Sequence, residues 1–210
     1  MKLNPSIASS NTLNIKEELD KLKEWPLLHL DIEDSSFSPN ITFGIKMAKL
    51  ISKYAPEKEI DTHLVVKEPL QFVENLSKLN IKSISCHIEP LLYPLEFINL
   101  AKKCKFENIG FALNISTPIS YLKPFLNDIN YIILMTAEPD NKGVTFYEPV
   151  IEKIKEAKEV LPSHVKIWVD GGLSKETIEK IKDLDIDTAV VGRYVFSSEN
   201  YINALEEYSS

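Results

Sequence analysis

A histidine and an aspartate lie two positions apart near the start of the chain, in an otherwise apolar stretch. His29 and Asp31 alternate there with Leu28, Leu30 and Ile32, which is the pattern of a β-strand that presents its two polar side chains on one face. A histidine and a carboxylate at the end of a buried strand are costly unless a metal ion, a proton or each other satisfies them. The stretch therefore marks a candidate catalytic or metal site.

Other apolar stretches end in residues of the same kinds. Asp61 and His63 end one of them, His87 ends a second, and Asp170 ends a third, where Gly171 follows it. These side chains can act together only if the fold brings the ends of the stretches to one place.

Predicted strands alternate with predicted helices along the chain. The strands are residues 2–9, a stretch that begins at Leu27, and residues 59–66, 82–87, 108–113, 131–135, 165–170 and 188–191. The clearest helical spacing is found at residues 95–104, 119–125, 147–160, 175–184 and 200–208. Asn40 is predicted to cap a further helix. Eight strand–helix units favour an α/β fold of the (β/α)8 TIM barrel type, as a single domain over residues 1–210.

All strands of such a barrel end at one rim, where these barrels place their active sites. His29, Asp31, His63, His87 and Asp170 would therefore converge. Imidazoles and carboxylates together suit one divalent ion such as zinc, iron(II), cobalt or manganese. Each histidine alone could be a hydrogen-bonded core residue, but the set at corresponding strand ends favours a metal site.

Glycines follow the last two predicted strands. Gly171 and Gly172 follow the seventh, and Gly192 and Arg193 follow the eighth. Barrels of this kind often bind phosphate at this position through backbone N–H groups, and an arginine can add a bidentate contact. The spacing predicts a phosphate-binding rim.

Composition narrows the class of protein. The chain has 210 residues, 44% of them hydrophobic, and a net charge of -7, which gives no electrostatic footprint for nucleic acid or an anionic membrane. Two cysteines and no apolar run of membrane-spanning length favour a cytoplasmic protein. We expect a small-molecule partner, no nucleic-acid or membrane partner, and leave open assembly as a homo-oligomer.

Motifs over nearly the whole chain resemble those of the ribulose-phosphate 3-epimerase family. The matching stretches are Pro5-Ser-Ile, His29-Leu-Asp-Ile, Phe37-Ser-Pro-Asn-Ile-Thr, Asp61-Thr-His-Leu, Cys86-His-Ile-Glu, Met135-Thr-Ala-Glu-Pro and Val169-Asp-Gly-Gly. In this order the motifs are highly specific. The resemblance implies a TIM barrel of the ribulose-phosphate-binding type.

The resemblance also implies roles for individual residues. One divalent metal ion would be held by His29, Asp31, His63 and Asp170. Asp31 and Asp170 would also be the acid and base that epimerise C3 of a ketose phosphate through a cis-enediolate. Contacts with the substrate are implied for Ser6, His63, Met135, Gly143, Gly171, Gly172, Gly192 and Arg193. This chemistry needs no organic cofactor.

Some residues depart from the family's pattern. Glu33 replaces the methionine of its Met-Asp-Gly-His motif, and Val65 replaces a second methionine. In the sixth loop, residues 140–144 replace Gly-Phe-Gly-Gly-Gln, so that Asp140 stands where the family has a glycine, while Arg193 replaces a serine. We expect Asp140 to turn away from a phosphate or to pair with Arg193 or a neighbouring lysine.

Four functions fit these residues to different degrees. The first is interconversion of D-ribulose 5-phosphate and D-xylulose 5-phosphate in the pentose phosphate pathway. The second is 3-epimerisation of another ketose phosphate, and the third is noncatalytic binding of a sugar phosphate. The fourth, a decarboxylase related to these barrels, lacks its Asp-Xaa-Lys-Xaa-Xaa-Asp signature because Ile32 and Glu33 follow Asp31.

Overall fold

A single parallel sheet of eight strands forms the centre of the molecule. The computed structural model describes residues 1–138 and 145–209. The strands are β1 (Lys2–Pro5), β2 (Leu27–Glu33), β3 (Glu59–Val65), β4 (Ser83–His87), β5 (Asn108–Leu113), β6 (Tyr131–Met135), β7 (Lys166–Asp170) and β8 (Thr188–Val191). They are hydrogen-bonded in the order β1-β8-β7-β6-β5-β4-β3-β2, and a parallel bridge between Ser6 and His29 joins β1 to β2. The sheet is a nearly closed barrel, which confirms the predicted (β/α)8 fold.

Helices connect the strands on the outside of the barrel. Those in the described residues are α1 (Ile15–Lys21), α2 (Ile45–Tyr54), α3 (Leu70–Leu76), α4 (Pro94–Lys103), α5 (Val150–Val160), α6 (Lys175–Ile181), α7 (Arg193–Phe196) and α8 (Tyr201–Glu206). Short 3-10 helices occupy Ile7–Ser9, Thr12–Asn14 and Ile119–Phe125. No helix in the described ranges is long and apolar enough to cross a membrane.

Alternation along β2 positions the polar residues of the site. Leu28, Leu30 and Ile32 are fully buried in the large apolar core. His29 and Asp31 point to the opposite face of the same strand, because successive side chains alternate across a strand. The predicted orientation of the two polar residues is therefore confirmed.

Aromatic side chains fill part of the barrel interior below the site. The rings of Tyr131 and Trp168 are 4.5 Å apart at their centroids, and Tyr131 packs with Ala112 and Ile133. A Cβ atom at Gly110 would come within 2.8 Å of the Tyr131 ring. Gly110 thus leaves the room that this ring needs inside the barrel.

Two predicted element assignments are wrong, and a third is confirmed in its bounds but is a different type of helix. The strand predicted over residues 2–9 ends at Pro5, before a 3-10 helix. Ile119–Phe125 is a 3-10 helix rather than an α-helix, and it contains Pro124, which has no N–H to donate. Asn40 caps no helix, because α2 begins later and Gly44 is its N-cap residue.

Candidate active site

Four side chains from three strands meet at the carboxyl end of the barrel. One ligand atom from each of His29, Asp31, His63 and Asp170 lies within 4.8 Å of all the others. The register of β2 and β3 places Asp31 beside His63, while Asp170 ends β7. The fold therefore brings together the four residues predicted as metal ligands.

The four donor atoms form a ring in which each lies near two others. Asp31 Oδ1 lies 3.0 Å from His29 Nε2 and 3.5 Å from His63 Nδ1. Asp170 Oδ2 lies 3.6 Å from His63 Nδ1 and 4.0 Å from His29 Nε2. Neighbouring donors that share an ion at about 2.1 Å are about 3.0–3.4 Å apart. The spacing of the ring is close to that of a single divalent ion's ligands.

His63 provides a second test of this fit. Its side chain is fully buried, and neither Nδ1 nor Nε2 has a hydrogen-bond partner. An unsatisfied buried imidazole is costly, and a metal ion is a satisfying partner for a ring nitrogen. The donor set and the two His63 nitrogens, which make no hydrogen bond, together fit a metal ion.

Asp61 holds the other side of the His29 ring. His29 Nδ1 is 2.8 Å from both carboxylate oxygens of Asp61, and Asn4 Nδ2 donates to Asp61 Oδ2 at 3.1 Å. A carboxylate that accepts from one ring nitrogen fixes the tautomer and leaves the other nitrogen free to bind a metal. Asp61 is not among the predicted site residues, although its two-residue spacing from His63 repeats that of His29 and Asp31.

Burial and nearby charges shift the protonation of the cluster. Burial lowers the pKa of His29, but Asp61 and Asp31 outweigh it and hold that pKa well above the ordinary value. Burial also lowers the pKa of His63, but Asp170 and Asp31 outweigh it and raise this pKa to about 9. Burial raises the pKa of Asp31, but His29 and His63 bring it well below its usual range. The carboxylates thus favour the protonated form of both histidines, and the histidines favour the ionised form of Asp31.

A cavity of about 180 Å³ opens above the cluster. Asp31 and Asp170 lie on its floor, with side chains 14% and 16% exposed. Ser6 also lines the cavity, and its Oγ donates to Asp31 Oδ2 at 2.5 Å. The two predicted acid/base groups are thus reachable from the cavity, while the two histidines beneath them are closed to solvent.

His87 lines the same cavity but lies outside the four-residue cluster. Its ring stacks on His63 at 4.9 Å between centroids, and its Nδ1 is 3.2 Å from Glu89 Oε2. Burial raises the pKa of Glu89, but hydrogen bonds from His87, Thr117 and the Asn114 N–H bring it down to about 2. His87 therefore converges on the mouth as predicted, and its contacts include His63, Glu89 and the ring of Phe37, whose centroid is 4.6 Å away.

The glycines after β7 and β8 line the opposite part of the cavity. Gly171 and Gly172 have φ values of +116° and +65°, a conformation that favours glycine. The cavity wall contains the predicted substrate contacts Ser6, His63, Met135, Gly171, Gly172, Gly192 and Arg193. Gly143 and Asp140 lie outside the described residues, so the contact of Gly143 and the pairing of Asp140 with Arg193 stay predictions.

Comparison with known proteins identifies the family of this barrel. The sequence model described as "Ribulose-phosphate 3 epimerase family" matches residues 2–196. The chain belongs to the ribulose-phosphate 3-epimerase family. The resemblance that the motifs suggested is confirmed.

Members of the ribulose-phosphate 3-epimerase family from distant organisms align over nearly the whole chain. The ribulose-phosphate 3-epimerase of Methanocaldococcus jannaschii is 30% identical over 211 residues, which covers 98% of this chain and 88% of that protein. The Helicobacter pylori J99 protein of the same name is 28% identical over 209 residues and covers 98% and 95%.

Solved structures outside the ribulose-phosphate 3-epimerase family share the fold. A tryptophan synthase alpha-subunit from Pyrococcus furiosus superimposes with a TM-score of 0.75 at 16% identity, covering 99% of this chain and 96% of that one. A KGPDC from Streptococcus mutans gives 0.71 at 16% identity, covering 98% and 94%. At this identity the likeness concerns the barrel alone.

Proposed function

We propose that this member of the family is a metal-dependent 3-epimerase that interconverts D-ribulose 5-phosphate and D-xylulose 5-phosphate. The observation that carries the proposal is the ring of four donors, which places Asp31 and Asp170 on the floor of a cavity walled by the glycines after β7 and β8. Family membership supports the same activity.

His29, Asp31, His63 and Asp170 would hold one divalent ion, of which zinc, iron(II), cobalt and manganese are candidates. When bound, this ion would polarise the substrate carbonyl and stabilise negative charge on its oxygens. Asp61 and Ser6 act through their contacts, because they orient His29 and Asp31 respectively.

The two aspartates would carry the proton transfers. One of them removes the proton from C3, which gives a cis-enediolate, and the other returns a proton to the opposite face of C3. They come from strands β2 and β7 and so approach the cavity from different sides of the barrel. The product then has the inverted configuration at C3.

The phosphate would lie at the other part of the cavity. Gly171, Gly172 and Gly192 let the backbone approach an anion closely, and Arg193 supplies a cationic side chain on the same wall. A small ketose phosphate is the partner of this proposal. The cytoplasmic location, the lack of nucleic-acid and membrane partners and any homo-oligomer stay predictions.

The test is epimerisation of D-ribulose 5-phosphate in D2O, with product analysis by NMR. We expect deuterium at C3 of the product, and we expect Asp31→Asn and Asp170→Asn each to lower kcat by at least about 1,000-fold, because each removes one of two required proton transfers. Metal content is measured on the same samples, and Asp128→Asn, an exposed carboxylate that pairs with Lys102, is the matched control.

Two results would overturn the proposal. Turnover without solvent exchange at C3 would exclude the enediolate route. Absence of exchange with D-ribulose 5-phosphate and with a panel of other ketose 5- and 6-phosphates, in metal-loaded protein, would leave noncatalytic binding as the better description.

A further inference from the structure

Glu33 ends strand β2 on the same face as His29 and Asp31. Its side chain lines the active-site cavity and is partly buried there, beside Val65 on the neighbouring strand. The chemistry proposed above gives this carboxylate no task, although it lies close to the reacting groups.

The loop that follows β2 holds Glu33 in place. Ser38, which is 3% exposed, donates from Oγ to Glu33 Oε2 at 2.5 Å, and the Asn40 side chain also donates to the carboxylate. The Glu33 N–H donates to Thr42 Oγ1 at 3.0 Å, and that hydroxyl donates to the main-chain oxygen of Asp31 at 2.8 Å. A carboxylate whose position is already fixed by several hydrogen bonds loses little freedom when it accepts a further hydrogen bond from a ligand.

Within residues 1–138 and 145–209, the lysine ion pairs are with other carboxylates and none is with Glu33. Asp31 and His63, two of the proposed metal ligands, line the same cavity as Glu33. A partly desolvated acceptor without a cation gains most from a hydrogen-bond donor on the ligand.

The order of strands around the barrel indicates which donor it meets. The glycines proposed to bind phosphate follow β7 and β8. In contrast, Glu33 ends β2, Asn40 follows β2, His87 ends β4 and Asn114 follows β5. A ketose phosphate whose C2 and C3 lie above the aspartates has its phosphate on one side and C1 on the other. The polar β2–β5 side therefore faces C1.

We propose that Glu33 accepts a hydrogen bond from the C1 hydroxyl and makes the enzyme selective for ketose phosphates that carry this hydroxyl over their 1-deoxy analogues. The inference rests on the proposed epimerase function, which fixes the direction of the substrate in the cavity. A site that binds a hydroxyl with a buried acceptor rejects the analogue that lacks it, because the acceptor is then left unpaired.

The test compares D-xylulose 5-phosphate with 1-deoxy-D-xylulose 5-phosphate, which differ by this one oxygen. In the wild type we expect kcat/KM to favour the hydroxylated substrate by about 10- to 100-fold, the range for a hydrogen bond to a charged group. Glu33→Met, which has a similar length and no acceptor of comparable strength, should reduce the ratio to within about 3-fold. Glu33→Gln should give an intermediate ratio, because its amide oxygen still accepts.

Three further measurements make the outcome decisive. Metal content and unfolding temperature are recorded for each variant, and Glu24→Met, the same substitution at an exposed site, should keep the wild-type ratio. If Glu33→Met does not fold, the ratio of Glu33→Gln is the deciding value. A wild-type ratio near one, or a wild-type ratio retained in both Glu33 variants, overturns the inference while leaving the epimerase itself intact; absence of turnover with every ketose phosphate would instead overturn the proposed function.

Discussion

Asp61 affects metal binding without being one of the four clustered donors. Both of its oxygens lie 2.8 Å from His29 Nδ1, and burial raises its pKa while the His29 charge opposes that rise. Replacing it with asparagine removes the charge that fixes the His29 tautomer. We expect Asp61→Asn to weaken the affinity for the divalent ion by about 10- to 100-fold, measured by competition with a metal-binding dye.

The control for this measurement is Asp128→Asn, which changes the same group at an exposed ion pair. Its metal affinity should equal that of the wild type. An Asp61→Asn protein that is folded and binds the ion as tightly as the wild type would show that His29 needs no orienting carboxylate.

Single residues of the site were predictable to different degrees. Alternation along two strands suffices to align His29 with Asp31 and Asp61 with His63. Whether a side chain binds a metal or orients a ligand depends on which atoms face each other across the strand register, and here His29 lies opposite Asp61 and Asp31 opposite His63. That difference of role is not contained in the spacing, so Asp61 was missed.

The turn after β7 depends on its glycines for a conformational reason. Gly172 has a φ of +65°, and a Cβ atom there would lie 2.5 Å from the Phe146 N and 2.8 Å from the Thr145 C. Backbone atoms cannot yield as a flexible side chain can. We expect Gly172→Ala to lower the free energy of unfolding by about 1–3 kcal/mol and to raise KM for the phosphorylated substrate, measured by denaturant titration and steady-state kinetics.

Gly44 provides the matched control. It precedes α2 with an extended backbone, and a Cβ atom there would meet nothing within 4 Å. Gly44→Ala should change stability by less than about 1 kcal/mol. Equal losses from the two substitutions would contradict the role given to the turn after β7.

Strands were easier to predict than the segments between them. Short, mostly apolar runs predicted β5, β6 and β8 with the bounds that the structure has. The prediction that Asn40 caps a helix is wrong because Asn40 makes two other contacts. Its side chain donates to Glu33, and its main-chain oxygen accepts from the Ser35 N–H at 2.9 Å. These contacts depend on how the chain folds back, which helix-cap statistics do not describe.

The first and last helices of the chain are joined through Glu18. This residue on α1 is 4% exposed, and it accepts hydrogen bonds from Tyr201 Oη at 2.7 Å and Lys21 Nζ at 2.8 Å. Burial raises the pKa of Glu18, but the two donors outweigh it and lower it below the ordinary 4.5. The link therefore stabilises the fold at pH values above 4.5 and is lost as the pH falls through the lowered pKa.

A pH series of unfolding experiments tests this link. Glu18→Gln should be less stable than the wild type at pH 7 by about 1–2 kcal/mol, and the difference should shrink as the pH falls below 4.5. Glu24→Gln, at an exposed position with no such contacts, should follow the wild type throughout. A gap between Glu18→Gln and the wild type that stays constant down to pH 3 would mean that the carboxylate charge is not what joins α1 to α8.

Metal binding should stabilise the whole barrel, because its donors exist as a cluster only when β2, β3 and β7 are folded side by side. An ion that binds the native state alone adds about 4 kcal/mol at a thousand times its Kd, which is about 8–16 °C in Tm for a domain of this size. We expect dialysis against chelator to lower Tm by that amount and added zinc, manganese, cobalt or iron(II) to restore it.

His63→Ala should show neither response and should contain little bound metal, whereas His164→Ala, which changes an exposed histidine near Leu126, should respond like the wild type. If His63→Ala gained as much stability from added metal as the wild type does, the ion would be bound elsewhere and the ring of four donors would not be its site.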